Sequence, residues 1–378
     1  MAYLSSLWAR HKRKLLVSLG VVGGGYALYK LYHAHRSRVL ELEKQSEKAQ
    51  EFDELIKAQL QAHFENIQRV SDTATLPYAM NQLRFRISED LDLSHLTDKL
   101  IQGKGQSSSL TPKEKLELWE KLKILSFTRT ASSLWSMTMI CLYVRVQVNI
   151  LGRHLYLEIA RGSESSQSLD ESDSLSSGQQ DFLTTADYLS AYGISRLLMN
   201  MQNAAMEVLK EKQLREPLTM DQLRDTITQI LDVFMSVGEP NNWINYLIPE
   251  NAVSYKQLTA MSSSGFDNTS MVVDMSKLEQ LMSETCAVLS SPDFKQIVEM
   301  SLKSVVDVLV EDISIQFGGG AIPSSSSGVP LAKLLPSVAK MGLRLLEEPA
   351  SNKFIHIIRS LPEVQLFYAL LYANMPLD

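Results

Sequence analysis

Between Lys113 and Arg161 the chain runs for nearly fifty residues without a proline or an aspartate, and its only glycine there is Gly152. The stretch reads KEKLELWEKLKILSFTRT and continues ASSLWSMTMICLYVRVQVNILGRHLYLEIAR. Nothing in it stops a helix, although the hydroxyl-rich Ser126–Thr130 run predicts a break. From Ala131 to Val144 the residues are apolar almost all round. A helix with no wet face must lie inside a bundle or inside lipid. Arg145, Gln147, Asn149 and Arg153 arrive before the ~20 apolar residues that a membrane span needs. The stretch is therefore read as a central helix on which other helices pack.

Its first half carries a second feature. Leu118, Leu122 and Leu125 recur at i, i+4 and i+7 and form one apolar stripe. Leu116 and Trp119 lie three apart beside that stripe. Lys115 and Lys123 stand one turn before and one turn after the tryptophan. Two readings stay open here. Trp119 widens the core face, or it is an exposed aromatic anchor for a partner helix, the kind of residue that dominates binding hot spots.

A chain of 378 residues is long enough for one large or two ordinary domains. Its 45% hydrophobic and 21% charged residues describe a globular protein. The two cysteines, Cys141 and Cys286, sit in apolar helical contexts, which suits reduced, buried thiols facing a reducing compartment. Charge is uneven. Residues 1–38 hold seven Lys and Arg and no acid, leaving 30 basic against 43 acidic residues, a formal −13, for the rest. A basic head on an acidic body points the head at a membrane surface and argues against nucleic acid as partner of the body.

Leu15 to Tyr32, LLVSLGVVGGGYALYKLY, would reach ~27 Å as a helix, close to the ~30 Å of bilayer hydrocarbon. Arg10, Lys12, Arg13 and Lys14 bound one end, and Trp8, Tyr26, Tyr29 and Tyr32 supply interfacial aromatics. With no clear small-residue cleavage site after it, a retained anchor is favoured over a cleaved signal peptide. Val39–Val70 then reads as a long polar helix leaving the membrane, with His63 as a packing residue on its broken apolar stripe. Shorter helices occupy 74–101. Flexible loops are expected at about 102–110, 162–180 and 318–328, the second dominated by serine and acid.

Helices follow over 184–214, 219–237 (opened by a Thr219/Gln222 capping box), 275–289, 292–317, 331–347, 351–360 and 362–374. Trp243 and Tyr246 in the connector 238–250 plug the bundle end. The expected fold is all-α: residues 1–14 basic, 15–32 a transmembrane anchor, and 33–378 a single large elongated helical bundle around the long central helix. No P-loop, nucleophile elbow, HExxH or CxxC is present. Neither the histidines nor the cysteines show metal-ligand spacing. The sequence therefore predicts no enzyme, cofactor or metal.

KLELWEKLKILSFTRT followed by RVQVNILGRHLYLEIA resembles the signature region of peroxisomal biogenesis factor 3, the peroxin-3 family, and its plant members in particular. HFENIQR at 63–69, SPDF at 291–294 and VPLAKLLPSV at 329–338 are similar to further family segments. The resemblance implies a peroxisomal membrane protein with its helical domain facing the cytosol. It also implies a docking receptor for peroxin-19, the soluble carrier of new peroxisomal membrane proteins, whose amphipathic N-terminal helix enters a groove at the membrane-distal end. Contacts with membrane lipid, and indirectly with cargo membrane proteins, follow from the same role. The family's anchoring tryptophan aligns with Trp119 and a family lysine with Lys115. Leu116 and Lys123 join them, Leu100 and Ile101 are added as a groove wall, and Leu155 as a further contact. Arg153 departs from the small residue the family carries there. Two other classes stay open: a signal-anchored adaptor of the mitochondrial outer membrane or endoplasmic reticulum, and a membrane-attached helical enzyme without a recognised motif.

Overall fold

The computed structural model describes residues 68–102, 111–162, 177–238, 241–262, 271–317 and 328–373, with 58, 61, 62 and 64–66 before them. The anchor 15–32, Arg10, Lys12, Arg13, Lys14 and His63 lie outside the described residues, as do most of the three expected loops. Two units, Met1–His63 and Phe64–Asp378, divide the chain. Among the described residues 86% are helical and 2% are in strands, so the fold is all-α.

The second unit is organised around one element. After a π-helical turn at Ser71–Thr75 come α1 (Leu76–Asp90) and α2 (Ser94–Gln102), and then α3, Pro112–Gly162, a helix of 51 residues. The chain continues through α4 (Ser177–Thr184), α5 (Ile194–Leu209), α6 (Met220–Met235), α7 (Ala252–Ser262) and α8 (Met271–Leu289). It finishes with α9 (Pro292–Phe317), α10 (Leu331–Arg344), α11 (Lys353–Ser360) and α12 (Pro362–Ala373). Helices α1, α5, α8, α9, α10 and α12 all pack on α3. One window of α3 is apolar enough to cross a membrane, yet 94% of it is buried inside the protein, so this is a core helix.

The break expected at Ser126–Thr130 does not occur. The two threonine hydroxyls in that run find carbonyls without disturbing the backbone: Thr128 Oγ1 donates to Ile124 O at 2.9 Å, and Thr130 Oγ1 to Val338 O of α10 at 2.6 Å. Gly342 of α10 packs on Arg129, where an added Cβ would come within 3.1 Å of Cγ, so the two helices approach closely. Tertiary packing overrides the weak local preference.

Mid-helix, Trp135 is fully buried. Its Nε1 donates to Met235 Sδ at 3.0 Å, and its ring meets Phe234 and Tyr246 edge-on at 5.3 and 6.0 Å. Trp243 is buried with Tyr246 in a 3-10 turn, as the connector's composition predicts. Further along, Tyr368 of α12 donates to Leu142 O at 2.7 Å, and Arg145 donates to Gln68 Oε1 at 2.7 Å. Arg359 of α11 pairs with Asp72 at 2.7 Å. At the far end, buried Arg153 pairs with Glu284 of α8, and its Nη1 lies 3.4 Å from Leu371 O of α12.

Several boundaries differ from the sequence reading. The helix expected at 184–214 is split into α4, a 3-10 turn (Thr185–Asp187), a π-helical turn (Leu189–Gly193) and α5. The serine-rich loop gives way to helix at Ser177, four residues before its expected end. Pro217–Leu218 (β1) and Val329–Pro330 (β2) form a two-residue antiparallel ladder, too short to carry a periodicity signal. The Thr219/Gln222 capping box and the Ser291 cap of α9 form as read.

Two consequences of the split segment are testable. Gly193 lies so close to the backbone of Tyr246 that any Cβ would fall deep inside contact distance of its carbonyl oxygen. Because that obstacle is main chain, Gly193→Ala is expected to cost about 1–3 kcal/mol, read as a drop in unfolding midpoint. Asp187 is raised from 3.8 to about 6 by burial, against an opposing hydrogen bond from Tyr78. A carboxyl with a raised folded pKa favours the fold below the unfolded value, and that support is lost as pH rises through about 6. Asp187→Asn should therefore raise Tm at pH 7 and leave it nearly unchanged at pH 4. An equal gain at both values would contradict the assignment.

Candidate partner-docking surface

The first turns of α3 stand out from the core. From Pro112 to Lys121 no residue is buried, and burial begins at Leu122. Thr111 starts the helix: its N–H and Oγ1 donate to Glu114 Oε2 at 2.7 and 2.8 Å, and its Oγ1 accepts from Glu114 N–H at 3.3 Å. This box holds the protruding turns helical without help from the core. Those hydrogen bonds also keep the Glu114 carboxyl below its usual range.

On this segment Leu116 is 57% exposed, Trp119 half-buried and Lys115 half-buried. Leu122 faces the core while Leu118 and Leu125 are half-buried, so the Leu stripe and the Leu116–Trp119 pair occupy different faces, as their spacing predicts. Trp119 is thus neither sealed in the core nor free of it. A half-buried tryptophan can still bury area against a partner.

Helix α2 packs on α3. Asp92, just ahead of α2, is close enough to Arg129 for their charges to interact. On α2, Leu100 is half-buried and Ile101 is 60% exposed.

Two residues depart from expectation. Lys123 is only 3% exposed. Its Nζ donates to Leu209 O at 3.2 Å and Lys212 O at 2.7 Å and pairs with Glu120 at 2.6 Å. It is not a surface cation flanking Trp119, because the carbonyls of Leu209 and Lys212 at and just past the end of α5 capture it. Leu155 is half-buried on the same helix as Trp119, 36 positions later in an unbroken α3, which puts them ~54 Å apart. A single partner helix of ~20 residues spans ~30 Å, so Leu155 is not part of a site centred on Trp119.

Sequence reading did not single out Met206, which is 40% exposed on α5 one turn before Leu209, whose carbonyl Lys123 contacts. Its only sequence signal is an apolar residue off the core stripe of an amphipathic helix, which is weak alone.

The peroxin-3 family model matches residues 102–374. The chain belongs to the peroxin-3 family. It is 48% identical over 377 residues to "Peroxisome biogenesis protein 3-2" and to "Peroxisome biogenesis protein 3-1" of Arabidopsis thaliana, covering all of each chain. It is 27% identical to "Peroxisomal biogenesis factor 3" of Homo sapiens over 391 residues, covering 98% of this chain and 97% of the human one. Peroxin-3 membership gives the chain a role in peroxisome biogenesis and points to the peroxisome, not to the mitochondrial or endoplasmic reticulum setting. These peroxin-3 relatives are biogenesis factors, in keeping with a chain that carries no catalytic motif.

Proposed function

We propose that this chain is the docking receptor of the peroxisomal membrane for peroxin-19, receiving an amphipathic helix near that carrier's N-terminus. Residues 15–32 anchor it in the membrane, with the helical unit facing the cytosol and cargo membrane proteins arriving through the carrier. The observation that carries the reading is the unburied start of α3. Ten residues, Pro112–Lys121, project from an otherwise well-buried helix and present Leu116 and half-buried Trp119. A helix with an apolar stripe fits such a surface, and acidic flanks fit the neighbouring Lys115. In this reading Leu100 and Ile101 supply a second apolar wall.

The test is a titration of the full-length chain in detergent micelles against a fluorescent peptide from the peroxin-19 N-terminal helix. Saturable binding is expected. Absence of saturation at peptide concentrations up to ~1 mM, where even weak specific binding registers, would overturn the reading.

A further inference from the structure

We infer that Lys123 is a positioning residue for the docking surface: it acts from inside the protein, setting where the Trp119 turns stand. The inference rests on the docking reading above and adds to it a residue that touches no partner. An ammonium has three N–H donors and no acceptor. Here it meets three acceptors: Leu209 O, Lys212 O and Glu120. Leu209 is the last residue of α5; its carbonyl also accepts from Lys212 N–H at 3.2 Å, and the helix dipole is negative at that end, so a cation is stabilised there.

The loop it grips is itself fixed from the other side. Leu331 N–H donates to Glu216 O and Ala332 N–H to Leu214 O, each at 2.9 Å, and the ladder pairs Pro217–Leu218 with Val329–Pro330. Lys123 therefore ties α3 to the frame shared by α5 and α10, one turn after Trp119 and at the point where burial begins. The ten protruding residues before it have no buried side chain to orient them. Glu120, one of the three acceptors, lies next to Trp119 and is half-buried, so the clamp reaches into the docking segment itself.

The test substitutes Lys123→Met, which keeps the apolar stem and removes the donors, in the full-length chain in micelles carrying 5-fluorotryptophan. In the partner-free protein the Trp119 fluorine resonance, assigned with Trp119→Phe, should shift or broaden while those of Trp135 and Trp243 stay in place. Affinity for the amphipathic peptide should fall about tenfold, the scale of losing a charged hydrogen-bond donor, with its salt dependence unchanged. A wild-type resonance with wild-type affinity would overturn the inference. So would an unmoved resonance with weaker binding and a shallower salt slope, the signature of a direct charge contact. Should Lys123→Met fail to fold, Glu120→Gln is read in its place: a smaller displacement of the Trp119 resonance is expected, and none would refute the clamp. If the wild-type chain binds no peptide, the docking reading fails. The resonance of the partner-free chain still reports whether Lys123 sets the Trp119 turns.

Discussion

Trp135→Ala is expected to destabilise the helical unit by about 3–5 kcal/mol, among the largest effects of any single truncation in the chain. The side chain is fully buried at the middle of α3. Its removal deletes the edge-on contacts with Phe234 and Tyr246 and leaves Met235 Sδ without its donor. Phe234 and Tyr246 stack on each other at 5.7 Å, and Asn200 Nδ2 holds the Tyr246 hydroxyl at 2.6 Å, so neither ring can move in to fill the space. A cavity that cannot collapse costs more than the lost transfer energy alone. Thermal unfolding followed by circular dichroism should show Tm falling on the order of 10 °C. A change within ±0.5 kcal/mol, as expected at a surface position, would mean that the centre of α3 is not the core.

Trp119→Ala, on the same helix sixteen positions earlier, should behave in the opposite way. The residue is half-buried on a segment with no buried neighbour before Leu122, so truncation should cost only about 1 kcal/mol of stability. Its effect belongs to binding. A tryptophan can bury roughly 200 Å² against a partner, worth a few kcal/mol and enough to dominate a small interface. Affinity for the peroxin-19 peptide should fall by about 2 kcal/mol or more, some 30-fold. The two substitutions separate a core tryptophan from a docking tryptophan by which measurement each moves. If Trp119→Ala unfolds the chain, the core-widening reading of that residue was the correct one.

What the sequence revealed and what it hid follow a physical division. Local chemistry was legible: the Thr219/Gln222 and Ser291 caps, the start of the Trp119 helix at Thr111–Pro112, and the all-round apolar run that put α3 at the centre. Burial of Trp243, Tyr246 and Cys141 also followed from apolar context, whereas Cys286, read the same way, is only half-buried. Features set by distant partners were hidden. Lys123 looks like any surface lysine at i+4 from a tryptophan until the end of α5, 86 residues away, arrives to accept its protons. Ser126–Thr130 looks like a break because its backing by α10, 208 residues on, is invisible locally. Leu155 lies 36 positions from Trp119 on the same helix, and a rigid helix turns that sequence distance into space.

Docking at the exposed start of α3 is tested most directly by where the partner lands. A photoreactive amino acid placed at Leu116, and in a second protein at Leu370, samples the start of α3 and the surface beside its Arg153 end. Leu370 is 52% exposed on α12, next to Leu371, whose carbonyl meets Arg153. With the full-length chain and labelled peroxin-19 peptide, the Leu116 position should give an adduct that unlabelled peptide competes away, and the Leu370 position none. An adduct at Leu370 with none at Leu116 would place the partner toward the other end of the helix and contradict the account.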